Sequence, residues 1–170
     1  MRLEVGESLK NPGQSYPFQG ELTIAEELEV LGDPVSFADI AVSGTFTGAG
    51  NGVGVRCEVR ANATSRCALC LAPVTVPLSC EVNAAYMRNP DPTDPDLYPL
   101  DGHSIELDEA VREALLLELP IRFLCKTDCK GLCPVCGTNL NLTGCECAKT
   151  QVAQGPLAAL RDLRIQNEEV

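Results

Sequence analysis

Six cysteines crowd the stretch "LCKTDCKGLCPVCGTNLNLTGCEC" (124–147) of a 170-residue chain that has ten cysteines and one histidine in all. A tetrahedral metal site takes four ligands, so six leaves two over or two short. Across the chain the cysteines form four close pairs, Cys67-x2-Cys70, Cys125-x3-Cys129, Cys133-x2-Cys136 and Cys145-x-Cys147, with Cys57 and Cys80 alone. Four pairs make two complete thiolate sets. On this count Cys67/Cys70 joins Cys125/Cys129, Cys133/Cys136 closes with Cys145/Cys147, and two zinc ions are expected. A single set of Cys125/Cys129 with Cys133/Cys136 is the alternative. Metal-held shape also accounts for a segment so poor in large apolar residues.

Zinc is favoured over disulfides because the chain reads as cytoplasmic, where thiols stay reduced. The start, "MRLEVGESLKNPG", lacks the apolar stretch of a secretory signal, and the most apolar patch, "ALLLELPI", is too short to span a bilayer. No membrane partner and no small-molecule substrate are expected.

Charge restricts the partners further. The net charge of −11 argues against a generic nucleic-acid binder. Residues 1–120 carry 7 Lys and Arg against 19 Asp and Glu, a balance of −12, whereas residues 121–170 carry 6 against 5, or +1. Each tetrathiolate zinc would add −2 to that tail. Aromatic residues are 4% of the chain and Trp is absent, so base-stacking platforms are scarce. Any RNA contact must be local.

The periodicity predicts an α+β fold: an antiparallel, barrel-like β-sheet with a few helices and a C-terminal cysteine-rich zinc-binding segment. Val53, Val55, Cys57, Val59 and Ala61 alternate with polar Arg56, Glu58, Arg60 and Asn62, the period of a half-buried strand. Val74, Val76, Leu78, Cys80 and Val82 repeat the pattern, with Pro77 on the polar side suggesting an edge or a bulge. Between the two, "CALCLAP" puts Cys67 and Cys70 at a hairpin tip. Upstream, "SFADIAVSGTFTG" is another strand, ended by the loop "GAGNG". "AEELEVLG" reads as a short helix or a strand end, and "NPDPTDPDLYPLDG" as a loop. A helix at about 108–119 follows, with Asp108 as N-cap and Pro120 as its stop. A closing helix is expected in "GPLAALRDLR". Residues 1–120 thus form a sheet body and 121–170 a zinc segment with its closing helix, packed together as one domain.

Competing chemistries fit poorly. Cys57 and Cys80 lie on apolar strand faces, where Cys behaves as a small hydrophobe. Neither C-x2-C pair opens a helix, so the thiolate activation of a dithiol oxidoreductase is missing. "HSIE" and "LCPVC" do not match the motifs of a zinc deaminase. His103 has no second histidine with which to build an open zinc site, and Asp91, Asp94 and Asp96 sit among prolines in a solvated loop. The chain is therefore expected not to be an enzyme. A zinc-dependent or thiol-redox enzyme using the Cys-x-x-Cys pairs is the alternative.

Several motifs together resemble one family. "RCALCLAPV" resembles the C-x-R-C-L-x-P hairpin of the YceD family, the large ribosomal RNA subunit accumulation proteins. "CKTDCKGLCPVCGTNLN…CEC" is similar to the cysteine-rich segment of many members, and "GPLAALRDLR" to their closing helix. Order and spacing agree from about residue 30 to 165. The sequence departs in having Ala68 and Leu69 within the first pair, where a basic residue is common, and Gly155 in place of an Asp. The resemblance implies a non-enzymatic factor for accumulation or processing of large-subunit (23S) ribosomal RNA. Its expected partners are a large-subunit precursor, the rRNA or a basic ribosomal protein. Arg56, Arg60 and Arg66 share one strand face and are the candidate phosphate contacts.

Overall fold

In a computed structural model, which describes residues 1–147 apart from 26, 31, 92 and 95, three long strands carry the architecture. The chain runs through β1 (Arg2–Glu4), α1 (Gly6–Lys10), β2 (Ser15–Leu22), β3 (Leu28–Val30), β4 (Asp33–Ala49), β5 (Gly52–Arg66), β6 (Pro73–Met87), β7 (Leu97–Pro99), β8 (Ser104–Glu106) and α2 (Asp108–Leu117). The closing helix expected at 155–164 lies outside the described residues.

The alternation read at 53–62 extends along all of β5, whose odd positions from Val53 to Ser65 are buried. Its neighbours follow from two turns. Ala49 pairs with Gly52 across a two-residue turn in which Gly50 has φ +59°, a value glycine reaches without a Cβ clash. At the far end Arg66 pairs with Pro73, and the cysteine hairpin lies between them. The strand order is β2-β4-β5-β6-β7, with β3 on the first residues of β4, and every pairing is antiparallel except β6–β7. Pro77 lies where β6 has β5 on one side only, since β7 reaches no further than Ala85–Met87, in keeping with an edge position.

The sheet is open. The expected barrel-like closure is not formed, because β2 and β7 end the strand order without pairing with each other. With only three residues, β7 offers little ladder for closure. One face of the sheet is instead covered by helices and by the separate β1–β8 ribbon. Val5, Ile105, Leu107, Val111 and Leu115 from that cover share a core with Val42, Val55, Val59 and Ala61 from the strands. At Gly48 the cover comes close enough that a Cβ would lie 2.0 Å from the Ser8 carbonyl oxygen. The Tyr86 hydroxyl donates to the Glu106 carbonyl (3.0 Å), tying the sheet to the ribbon.

Other expectations shift in detail. Within "AEELEVLG", Leu28–Val30 is a short strand and not a helix, since it pairs with Asp33–Val35. The proline-rich loop contains β7 and is followed directly by β8. Leu107, not Asp108, is the N-cap of α2, and no side chain caps the helix. Asp108 is in the first turn, where its carboxylate meets both the helix dipole and the Met1 amino group. A register shift between Ala38 and Ala41 bends β4, and the left-handed Asp39 (φ 53°) at the bend accepts from Asn62 Nδ2 at 2.9 Å.

Leu71, at the hairpin tip, also has a left-handed backbone (φ 60°), although the residue is 57% exposed. An L side chain there costs roughly 1–2 kcal/mol, and glycine restores some of that while losing roughly 0.5–1 kcal/mol of chain entropy. Leu71→Gly should therefore hold or raise stability, by up to about 1 kcal/mol, in denaturant melts of metal-loaded protein. A loss above about 1 kcal/mol would show that the Leu71 side chain is structurally required.

Candidate metal centres

The hairpin tip and the segment after α2 are built against each other by backbone groups. Within the tip, Cys67 N–H donates to the Ala72 carbonyl (2.7 Å) and Leu71 N–H to the Cys67 carbonyl (2.9 Å). The later segment crosses it at two points: Ala68 N–H donates to the Phe123 carbonyl (2.9 Å), and Leu132 N–H to the Leu69 carbonyl (3.0 Å). Phe123 is buried and anchors the crossing in the core. Gly131 (φ +70°) passes so near that a Cβ would stand 3.0 Å from the Leu69 oxygen.

This crossing brings Cys67, Cys70, Cys125 and Cys129 together, with all four sulfurs within 4.8 Å of one another. Cys67 and Cys129 Sγ are 3.8 Å apart, Cys70 and Cys125 Sγ 3.6 Å. A sulfur tetrahedron around a zinc-sized cation, with bonds of about 2.3 Å, has edges of about 3.8 Å. The donor set fits such a cation, and the separations far exceed a disulfide of about 2.05 Å.

Cys133, Cys136, Cys145 and Cys147 form the second group, again with sulfurs within 4.8 Å. It rests on a turn like the first, in which Gly137 N–H donates to the Cys133 carbonyl (2.9 Å) and Cys133 N–H to the Thr138 carbonyl (2.8 Å). Gly137 (φ 71°) stands where the first turn has Leu71. The alternative set, Cys125/Cys129 with Cys133/Cys136, is not the grouping the structure brings together.

The thiols within each group differ in acidity. Burial pushes the Cys67 thiol up, but the amides of Cys125, Leu69 and Cys70 outweigh it and bring Cys67 down to about 6. Cys125 is pushed up to about 12, first by Cys129 and then by burial. Cys70 is also raised, since burial and Cys67 together outweigh the Ala72 amide that pulls it down. In the second group the Thr138 hydroxyl and amide bring Cys136 down to about 6, with Cys136 Sγ and Thr138 Oγ1 3.2 Å apart. Cys147 is pushed up to about 12 by Cys136 and burial, and Cys145 is raised chiefly by Cys133. Each group thus has a ready thiolate, plus thiols that keep their protons until a cation displaces them.

Cys57 and Cys80 stand apart from both groups. Burial, then Cys80, pushes Cys57 up to about 11, and burial, then Glu118, raises Cys80. Neither belongs to a group of converging ligand atoms, so it is their placement that sets them apart from the candidate metal ligands.

Arg56, Arg60 and Arg66 are exposed on one face of β5, as their shared parity predicts. That face is mixed, not basic. Arg56 Nε donates to Asn83 Oδ1 (2.9 Å), and Arg60 is paired with Glu58 (Nη2 to Oε1, 2.7 Å). Glu58 in turn lies directly opposite Glu81 of β6. Arg66 immediately precedes Cys67 and lines a small depression with Ile121, Arg122 and Phe123. Glu81 and Asn83 could not be placed there without the register. Thr138 and Asn141 contact cysteine sulfurs, and no distinctive spacing in the sequence marks either of them.

Comparison with known proteins finds relatives that share part of the chain. A protein of Arabidopsis thaliana, the chloroplastic "Large ribosomal RNA subunit accumulation protein YCED homolog 1", is 34% identical over 73 residues, 42% of this chain and 23% of the relative. An uncharacterised protein of Mycobacterium leprae is 31% identical over 108 residues, 60% of this chain and 43% of the relative. One from Mycobacterium tuberculosis is 32% identical over 94 residues, 52% of this chain and 45% of the relative. The chain therefore spans less than half the length of these relatives. No solved structure matches. The family model described as "Large ribosomal RNA subunit accumulation protein YceD" matches residues 55–164, from within β5 through both cysteine groups. Matched over well over half its length, the chain belongs to the YceD family.

Proposed function

We propose that this chain is a non-enzymatic factor that supports accumulation of large-subunit (23S) ribosomal RNA. It acts by binding precursor particles, their rRNA or a basic ribosomal protein, and holds two zinc ions as structural staples. The observation that carries this reading is the YceD match running through both cysteine groups. The chemistry agrees. A catalytic zinc keeps an open position beside three protein ligands, whereas four thiolates close the coordination sphere. The described residues form no helix long and apolar enough to cross a membrane. We place the protein in the compartment where ribosomes are assembled, the cytoplasm of a bacterium or its organellar counterpart.

The charge favours a basic protein or an assembled particle over free duplex RNA. At −11 the field repels a polyanion, and Arg60 is already engaged by Glu58. Binding to a basic ribosomal protein should weaken as salt rises, since exposed charges are screened over about 10 Å at 0.1 M. Replacing Arg56, Arg60 and Arg66 together by Glu should lower co-sedimentation with large-subunit precursors yet spare that protein contact. Tight binding to naked ribosomal RNA, unchanged in the triple variant, would contradict both the charge argument and the choice of face.

Metal analysis of reduced protein purified without chelator should find two zinc ions per chain, and a value near zero would refute the metal reading. Zinc must displace the protons of Cys70 and Cys125 in one group and of Cys145 and Cys147 in the other, all with pKa values raised above the usual 9. Affinity should therefore fall as pH falls, more steeply once Cys67 and Cys136, near 6, protonate as well. Calorimetry at pH 7 in buffers of different ionisation enthalpy should count at least two protons released per zinc. A count near zero would mean the thiols are already ionised. Thiol titration with and without a strong chelator separates this account from a redox dithiol, whose thiols would be reactive in both.

A further inference from the structure

The two cysteine groups are joined by more than the three residues between Cys129 and Cys133. The loop that closes the second group folds back on this linker: Leu132 and Asn139 form a bridge, and Leu140 N–H donates to the Gly131 carbonyl at 2.9 Å. The fold-back delivers Asn141 to the first group. Its Nδ2 donates to Cys129 Sγ (3.3 Å) and to Asn139 Oδ1 (2.9 Å), while its Oδ1 accepts from Lys130 N–H (3.0 Å). Each half of the carboxamide is thereby engaged. The orientation is fixed too, because a backbone N–H can only donate, so the group facing Lys130 must be the oxygen.

We propose that Asn141 is a positioning residue that couples the two metal centres. It rides on the loop closed by the second cysteine group and holds the Cys129 thiolate of the first. The inference rests on the zinc reading above. A ligand sulfur that accepts an N–H bond is fixed in direction and part of its negative charge is neutralised, which matters where four thiolates and one divalent cation leave −2. Filling the second centre closes Cys133/Cys136 onto Cys145/Cys147 and orders the loop between them, which presents Asn141. Linkage makes the effect reciprocal, so filling the first centre must tighten the second by the same factor.

The test uses the full chain and zinc, with competition against a chromophoric chelator of known affinity. Outer-shell partners of metal ligands typically change affinity by about 10–100-fold. Asn141→Asp sets a carboxylate against the thiolate and should weaken one zinc by at least about tenfold while the stoichiometry stays at two. Asn141→Ala should do the same to a smaller degree. The double variant Cys145→Ser, Cys147→Ser keeps only the first centre. It should bind one zinc, weakened by a comparable factor, and adding Asn141→Asp should then change little. Cobalt substitution, read through its thiolate charge-transfer bands, reports whether the first centre keeps four sulfurs in each variant. Unchanged affinities in both Asn141 variants, or an undiminished effect of Asn141→Asp in the double variant, would overturn the coupling and leave the zinc reading intact. Wild-type protein that binds no zinc would overturn both.

Discussion

The sulfurs of Cys70 and Cys125, separated by 55 positions in sequence, lie 3.6 Å apart, and the rest of the C-terminal architecture depends on that meeting. Among residues 124–147 only Gly131 and Cys133 are buried, so the segment has little apolar surface with which to offset its ordering entropy. It is held by backbone hydrogen bonds to the hairpin tip, by the anchor at Phe123 and by convergent thiols. The long β5–β6 hairpin, carried by the core, provides a rigid arm with a cysteine pair at its end. A cation bridging that pair to Cys125 and Cys129 would fasten the weakly held segment to the rigid arm.

The same organisation bears on the partners proposed for the chain. Apart from the cysteine segment the chain is strongly acidic, and the row of arginines on β5 is broken by Glu58 and faced by Glu81. Such a surface suits a basic protein better than bare RNA. At the hairpin tip the character changes: Leu69 and Leu71 are exposed, and Arg66 immediately precedes Cys67.

What could be read from the sequence was local and periodic. The alternation of Val53 to Ala61 with Arg56 to Asn62 gave β5 its faces, because a half-buried strand writes its period directly. The close cysteine pairs were equally legible, since a metal site demands a fixed number of ligands. Closure of the sheet was not legible. It depends on whether β2 and β7 meet, and no pattern within either strand records this; the short β7 was hidden in a loop dominated by Pro and Asp. The pairing of Asp108 with the Met1 amino group was equally hidden, since the two lie far apart in sequence. Asn141 is a further case: an asparagine among others in a loop gains its meaning only when the chain folds back to Cys129.

The central claim is that the first cysteine group joins the hairpin tip to the segment after α2. Hydrogen exchange of the zinc-loaded protein, compared with the Cys67→Ser variant, tests it most directly. The account predicts that amides around 66–73 and around 123–132 lose protection together, while the β4–β5 ladder is unchanged. Faster exchange confined to the hairpin, with 123–132 as protected as in the parent chain, would contradict it.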